Sequence, residues 1–186
     1  MTKAKAPTHD RILGVDPGLN ITGYGVIEIH TDKLGQHHPK LIEAGVVRTT
    51  AKRSLTYRVQ EIHEGIAEVI TSLQPAALAV EELYSHYERP RTAILMGHAR
   101  GVICLAAAQQ GVQVKHYGAT RIKKMLTGNG HAPKSQMQTA IQREFNLAEA
   151  PEPADVADAL AVALCHLYLR DVPDLDLTKT TDARSA

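Results

Sequence analysis

The apolar repeat changes near residue 50, and that change limits the architecture more than any other feature of the chain. Arg11 to Val15 is a short apolar run, Thr22 to Ile29 alternates in twos, and Lys40 to Val47 returns as a third such segment after a polar stretch from Thr31 to Pro39. Three strand-like segments joined by short turns imply an antiparallel meander, with residues 31–39 read as a hairpin loop. Beyond residue 50, Leu55, Val59, Ile62, Ile66, Val69 and Leu73 recur at steps of three and four, the stripe of an amphipathic helix stopped by Pro75.

Strand and helix then alternate. Ala77 to Val80 reads as a buried strand running into Glu81-Glu82, Arg91 to Gln110 as a helix closed by Gly111, and Val112 to His116 as a fifth strand. A short helix over Thr120–Leu126, another over Pro133–Phe145 and a last one after Pro153 complete the order. A hairpin meander followed by strand–helix alternation predicts an α/β fold, a mixed five-stranded sheet flanked by helices. Periodicity alone admits several α/β architectures of that description. No internal repeat or linker divides residues 11–170, which are expected to form one domain, with residues 1–10 and 171–186 as flexible termini.

No apolar run approaches the roughly 20 residues needed to cross a bilayer. The polar N-terminus carries no apolar segment, so no signal peptide and a cytoplasmic location are expected. Cys104 and Cys165 both sit within apolar helical patterns and read as buried reduced thiols. A net charge of +1 decides nothing about partners, but its distribution is uneven. From Val112 to Phe145 there are six Lys or Arg against Glu144 alone, and from Glu149 to Asp158 four acids and no base. Such a bias suits a protein that must hold phosphates beside metal ions, but taken alone it favours two solvated helix surfaces.

Four carboxylates merit attention. Asp16 lies where an apolar strand breaks into Pro17-Gly18, a strand end of the kind where ligands collect, or a simple turn cap. Glu81 closes a second buried strand, and alternation sends Glu81 and Glu82 to opposite faces, so one of them can join Asp16. Asp155 and Asp158, three apart in a helix, share a face. They either complement the helix dipole or line a site, and the surrounding alanines favour close packing. Together the four would make an oxygen-only donor set suited to Mg²⁺ or Mn²⁺, two ions per site, for hydrolysis of a phosphodiester by water. The histidines show no zinc spacing, and no Ser–His–Asp or Cys–His set offers a competing nucleophile.

Several stretches together carry a family resemblance: Gly14-Val-Asp-Pro-Gly18 with Thr22-Gly-Tyr-Gly-Val26, Val80-Glu-Glu-Leu-Tyr84, Gly97-His-Ala-Arg-Gly-Val102, Lys134-Ser-Gln136 and Ala154-Asp-Val-Ala-Asp-Ala-Leu160. In this order, over roughly residues 11 to 169, the chain resembles the RuvC family of Holliday-junction resolvases. The resemblance implies a ribonuclease H-like fold and a metal-dependent endonuclease, with Asp16, Glu81, Asp155 and Asp158 as metal-binding carboxylates. It implies Lys123 and Lys134 beside the DNA, Lys134 also stabilising charge in the reaction, and Tyr84 as the aromatic that meets bases at the junction. A homodimer built partly on the helix from Arg91, four-way junction DNA as substrate and the RuvA and RuvB branch-migration proteins as partners are further implications. Glu82, His98 and the His37-His38 loop have no counterpart in these motifs. Asp-x-Gly followed by Thr and Gly also resembles the phosphate-binding start of actin-like ATPases, but those need two such domains, and this chain has length for one. A junction-binding module without cleavage is the non-enzymatic alternative, disfavoured because acids near phosphates weaken binding unless metal is present.

Overall fold

A computed structural model describes residues 10–83 and 90–170 of the chain. Their elements run β1 (Arg11–Asp16), β2 (Ile21–Thr31), β3 (His37–Arg48), α1 (Leu55–Leu73), β4 (Ala77–Glu81), α2 (Pro90–Gln109), β5 (Gln113–Tyr117), α3 (Ala119–Thr127), α4 (Lys134–Glu144) and α5 (Ala154–Leu169). The strands form one sheet in the order β3-β2-β1-β4-β5. β1, β2 and β3 pair antiparallel as a meander, whereas β4 joins β1 and β5 joins β4 in parallel. The mixed sheet expected from the order of periodicities is therefore the one formed.

The β2–β3 hairpin is longer than its polar sequence suggests. Thr31 pairs with His37 and His30 with His38, so the two histidines belong to a strand and the turn shrinks to residues 32–36. Asp32 makes this possible, because its Oδ1 accepts the backbone N–H groups of Leu34 and Gln36, both at 2.9 Å, and closes the turn locally. A bulge between Val26 and Ile27 shifts the register further along.

Strand alternation divides the interior into two halves. Leu13, Val15, Leu78 and Val80 face α1 and α2, meeting Ile62, Ile66 and Ile103. Ile12 and Ala79 face the other way, onto α5. Each fully buried Leu or Ile is worth about 1.5–3 kcal/mol, so both layers contribute substantially. Beyond Asp158, α5 is enclosed: every residue from Ala159 to Leu167 is buried, as are Val156 and Ala157 before it, with the sheet on one side and α3 and α4 on the other. A helical segment apolar around its whole circumference, as 159–165 is, can be placed only in such a position. Cys165 lies in this helix, and burial pushes its thiol up to about 12; Cys104 is half-buried and unpaired by any disulfide.

Candidate active site

β1 and β4 run parallel with Val15 opposite Val80, so the next residues, Asp16 and Glu81, emerge side by side at neighbouring strand ends. Alternation puts Asp16 on the face of Ile12 and Gly14, and Glu81 on the face of Ala79, which is the side covered by α5. Glu82, on the opposite face, is exposed, and its N–H donates to the Tyr117 carbonyl at 2.9 Å. The turn after Asp16 is tight enough that a Cβ on Gly18 would stand 2.1 Å from the Ile21 carbonyl oxygen. Thr22, fully buried, braces it by donating its hydroxyl to the Gly18 carbonyl at 2.7 Å.

What brings the helix acids to these strand ends is a seat of glycines. A Cβ on Gly14 would fall 2.1 Å from the Ala159 carbonyl oxygen, and one on Gly23 would fall 2.1 Å from that of Asp155. At Gly25 the obstacle is the Leu160 side chain, 2.5 Å away. The backbone of α5 therefore lies directly against β1 and β2. Because Gly23 is the cross-strand partner of Asp16, the contact at Asp155 delivers the first turn of α5 to the Asp16 end of the sheet. Asp158, one turn on, takes an ion pair at 3.0 Å from Lys134 Nζ at the start of α4.

A cavity of about 250 Å³ opens among Glu81, Asp158, Lys123 and Lys134, with Ile122, Met137 and Ala161 as its apolar wall. The electrostatics are those of crowded acids. Burial, followed by the charges of Asp158, Glu81 and Asp155, pushes Asp16 from 3.8 up to about 7, with Lys134 as the one opposing influence. Glu81 is also raised, first by burial and then by Asp158, with Lys123 working against the rise. Lys134 is held above the ordinary lysine range, chiefly by its hydrogen bond to Asp158.

Six of the seven residues singled out from the sequence thus fall around one site: Asp16, Glu81, Asp155, Asp158, Lys123 and Lys134. The seventh, Tyr84, lies outside the described residues. Hard oxygen donors, an acid excess and an Asp16 carboxyl raised to about 7 by burial and by its neighbouring acids fit a divalent cation. Among the described residues no three His, Cys, Asp or Glu side chains converge closely enough to enclose an ion as they stand. Donor chemistry and charge therefore carry the fit.

Sequence reasoning missed the glycine seat, whose signal was available in Gly14, Gly23 and Gly25 facing the alanines of the last helix. It also missed Tyr117, which pairs in register with Glu81 and whose hydroxyl meets His166 Nδ1 of α5 at 2.7 Å. No local pattern marks that pair.

The chain is similar to known proteins over most of its length. The family described as "Crossover junction endodeoxyribonuclease RuvC" matches residues 12–166. A protein of that name from Rhodopirellula baltica is 56% identical over 162 residues, spanning 87% of this chain and 88% of its own length. One from Alkaliphilus metalliredigens is 41% identical over 157 residues, 84% of this chain and 92% of its own. Among solved structures, Thermus thermophilus RuvC in complex with a Holliday junction substrate superposes with a TM-score of 0.79 at 34% identity, covering 87% of this chain and 95% of that one. The yeast mitochondrial Holliday junction resolvase Ydc2, at 10% identity and a TM-score of 0.57, shares the fold, with 87% of this chain and 82% of that one covered.

Proposed function

Since the chain belongs to the RuvC family of crossover junction endodeoxyribonucleases, we propose that it resolves Holliday junctions by paired symmetric nicks in recombination and repair. The observation that carries this reading is Asp16, a carboxyl pushed up to about 7 by burial and by three neighbouring acids, two of which, Glu81 and Asp158, line a cavity with Lys123 and Lys134. An added positive charge would favour the ionised form of a group so placed, and a phosphodiester substrate calls for the same charge.

Asp16, Glu81, Asp155 and Asp158 would hold Mg²⁺ or Mn²⁺, two ions per site. Bound divalent ions supply a lowered pKa for water and neutralise charge at the phosphate. The protein's own groups do the rest. Lys134, anchored on Asp158 yet more than half exposed, offers its Nζ to a phosphate oxygen and opposes the charge that builds there. Lys123, on the wall beside Glu81, holds a flanking phosphate. Water attacks phosphorus, the bond to the 3′ oxygen breaks, and the product ends can be rejoined. Tyr84 is assigned the junction bases, a role supported by its place three residues after Glu81.

A homodimer follows from the substrate's symmetry, because two equivalent cuts call for two equivalent sites. It is supported by a stripe on α2 that no described residue covers: Ile94, Gly97, Gly101, Leu105 and Ala108 recur at helical spacing on its exposed side, Ile94 being 61% and Leu105 50% exposed. A Cβ at Gly97 or Gly101 would meet nothing within 4 Å, which leaves room for a second helix. His98 lies on this exposed side too. RuvA and RuvB are the expected partners and the cytoplasm the expected compartment; no described helix is long and apolar enough to cross a membrane.

The test is cleavage of a synthetic four-way junction with Mg²⁺ or Mn²⁺. The protein is expected to nick two symmetry-related strands, and Asp16→Asn to bind the junction without cutting. Binding without cleavage by the unmodified protein in both metals would favour a junction-binding module, and undiminished cleavage by Asp16→Asn would refute the site.

A further inference from the structure

A second basic and aromatic surface lies at the same end of the sheet as Asp16. Residues 44–60 contain Arg48, Lys52, Arg53 and Arg58 and no acid. They span the end of β3, its connection to α1 and the first turn and a half of that helix. Tyr57 is 58% exposed, Arg53 lies over its ring with the guanidinium carbon 5.7 Å from the ring centroid, and Arg53, Ser54 and Tyr57 line an open cavity of about 380 Å³. Arg53 gives one nitrogen to Glu61 at 2.9 Å. Lys52 is exposed.

This surface is tied to the turn that leaves Asp16. Thr49 donates its N–H to the Asn20 carbonyl at 3.1 Å and its hydroxyl to the Leu19 carbonyl at 2.6 Å. Arg58 donates to the same Leu19 carbonyl at 3.0 Å, to Thr49 Oγ1 at 3.0 Å and to Asn20 Oδ1. Arg58 is therefore committed to holding loop 17–20 against the start of α1. Lys52, Arg53 and Tyr57 remain facing outward from the braced segment.

We propose that Lys52, Arg53 and Tyr57 form a second nucleic-acid grip, taking a phosphate on the two cations and the adjoining nucleotide against the Tyr57 ring, on the strand that passes the carboxylate site. The inference rests on the nuclease reading. Its chemistry is that of sequence-independent strand binding, in which cations follow the backbone and an exposed ring meets a base or sugar. A polar, charged face around a half-exposed ring already attended by one guanidinium fits this ligand better than an apolar protein partner.

The experiment measures junction affinity by fluorescence anisotropy in EDTA, over a salt series, for the full chain and for Lys52→Ala, Tyr57→Ala and Tyr57→Phe. Tyr57→Ala should weaken binding about fivefold or more, the lower end of what stacking on a ring contributes. Tyr57→Phe should restore most of the loss. Lys52→Ala should lower the slope of log affinity against log salt by about one. Thermal melts confirm that each variant is folded. An unchanged affinity for Tyr57→Ala together with an unchanged salt slope for Lys52→Ala overturns the grip while leaving the nuclease reading intact. Failure of the unmodified protein to bind the junction both in EDTA and with Ca²⁺ in its place refutes both and is read in the first arm.

Discussion

Replacing Asp16 by asparagine keeps the shape of the side chain and removes its charge, which turns the crowding of acids into a measurable stability. Burial and three neighbouring carboxylates move the folded carboxyl from 3.8 to about 7. The folded state thus holds this proton more tightly than the unfolded chain does. The group's contribution is most favourable below pH 4 and is progressively lost as pH rises toward 7. At about 1.4 kcal/mol per pH unit, the loss reaches roughly 4 kcal/mol at pH 8 and less than about 2 kcal/mol at pH 5. Asparagine does not titrate. In EDTA, Asp16→Asn should therefore be the more stable protein at pH 8, and its advantage should shrink at pH 5. With about 2–4 °C per kcal/mol for a chain of this size, the gap in Tm should change by roughly 5–10 °C between the two pH values. Calorimetric or circular-dichroism melts provide the assay. Adding Mg²⁺ or Mn²⁺ at pH 8 should raise the Tm of the unmodified protein, by about 2.7 kcal/mol of stability at a hundred times Kd, and leave Asp16→Asn much less affected. Parallel Tm–pH curves for the two proteins, or a variant less stable at pH 8 without metal, would refute the electrostatic account.

Gly23→Ala places a methyl 2.1 Å from a main-chain oxygen that cannot rotate away, so it should cost about 3 kcal/mol or more in denaturant melts and abolish cleavage by displacing Asp155. Lys134→Ala removes a mostly exposed ion pair, worth less than about 1 kcal/mol to the fold, yet single-turnover cleavage should fall on the order of 10²-fold; a fall of only twofold would confine Lys134 to the surface. Leu105→Glu puts a charge into the exposed stripe of α2 and should shift sedimentation from dimer to monomer and uncouple the two nicks, with no loss of Tm in the isolated subunit.

The parts of the molecule legible from the sequence are those governed by local repeats. The stripe of α1 and the five strands follow from periods of 3.6 and 2, and the order of the periods is enough for a mixed sheet. The carboxylates were visible one at a time, each with an innocent explanation; only their order along the chain joined them. What stayed hidden depends on pairing between distant residues. Nothing near Val15 or Val80 says that these two lie opposite one another, yet that register sets Asp16 beside Glu81. The polar segment 31–39 looked like a loop because its residues are hydrophilic, whereas strand pairing of His37 and His38 depends on the Asp32 turn and on Thr31 across the hairpin. The surface at Tyr57 has no motif at all; it arises because the β3–α1 connection folds back against the turn after Asp16.

The glycine seat under α5 also bears on how sensitivity to mutation in this protein should be interpreted. Gly14 and Gly23 carry no side chain that could touch a substrate or an ion, yet any substituent at either one strikes the main chain of the helix that bears Asp155 and Asp158. A saturation-mutagenesis survey scored by survival after DNA damage would rank both with Asp16 itself. Intolerance alone would then mark Gly14, Gly23 and Asp16 as equivalent, although the two glycines carry no group that could perform chemistry. Abundance measurements would separate them: the glycine variants disappear from the cell, and the Asp16 variants accumulate as stable, inactive protein.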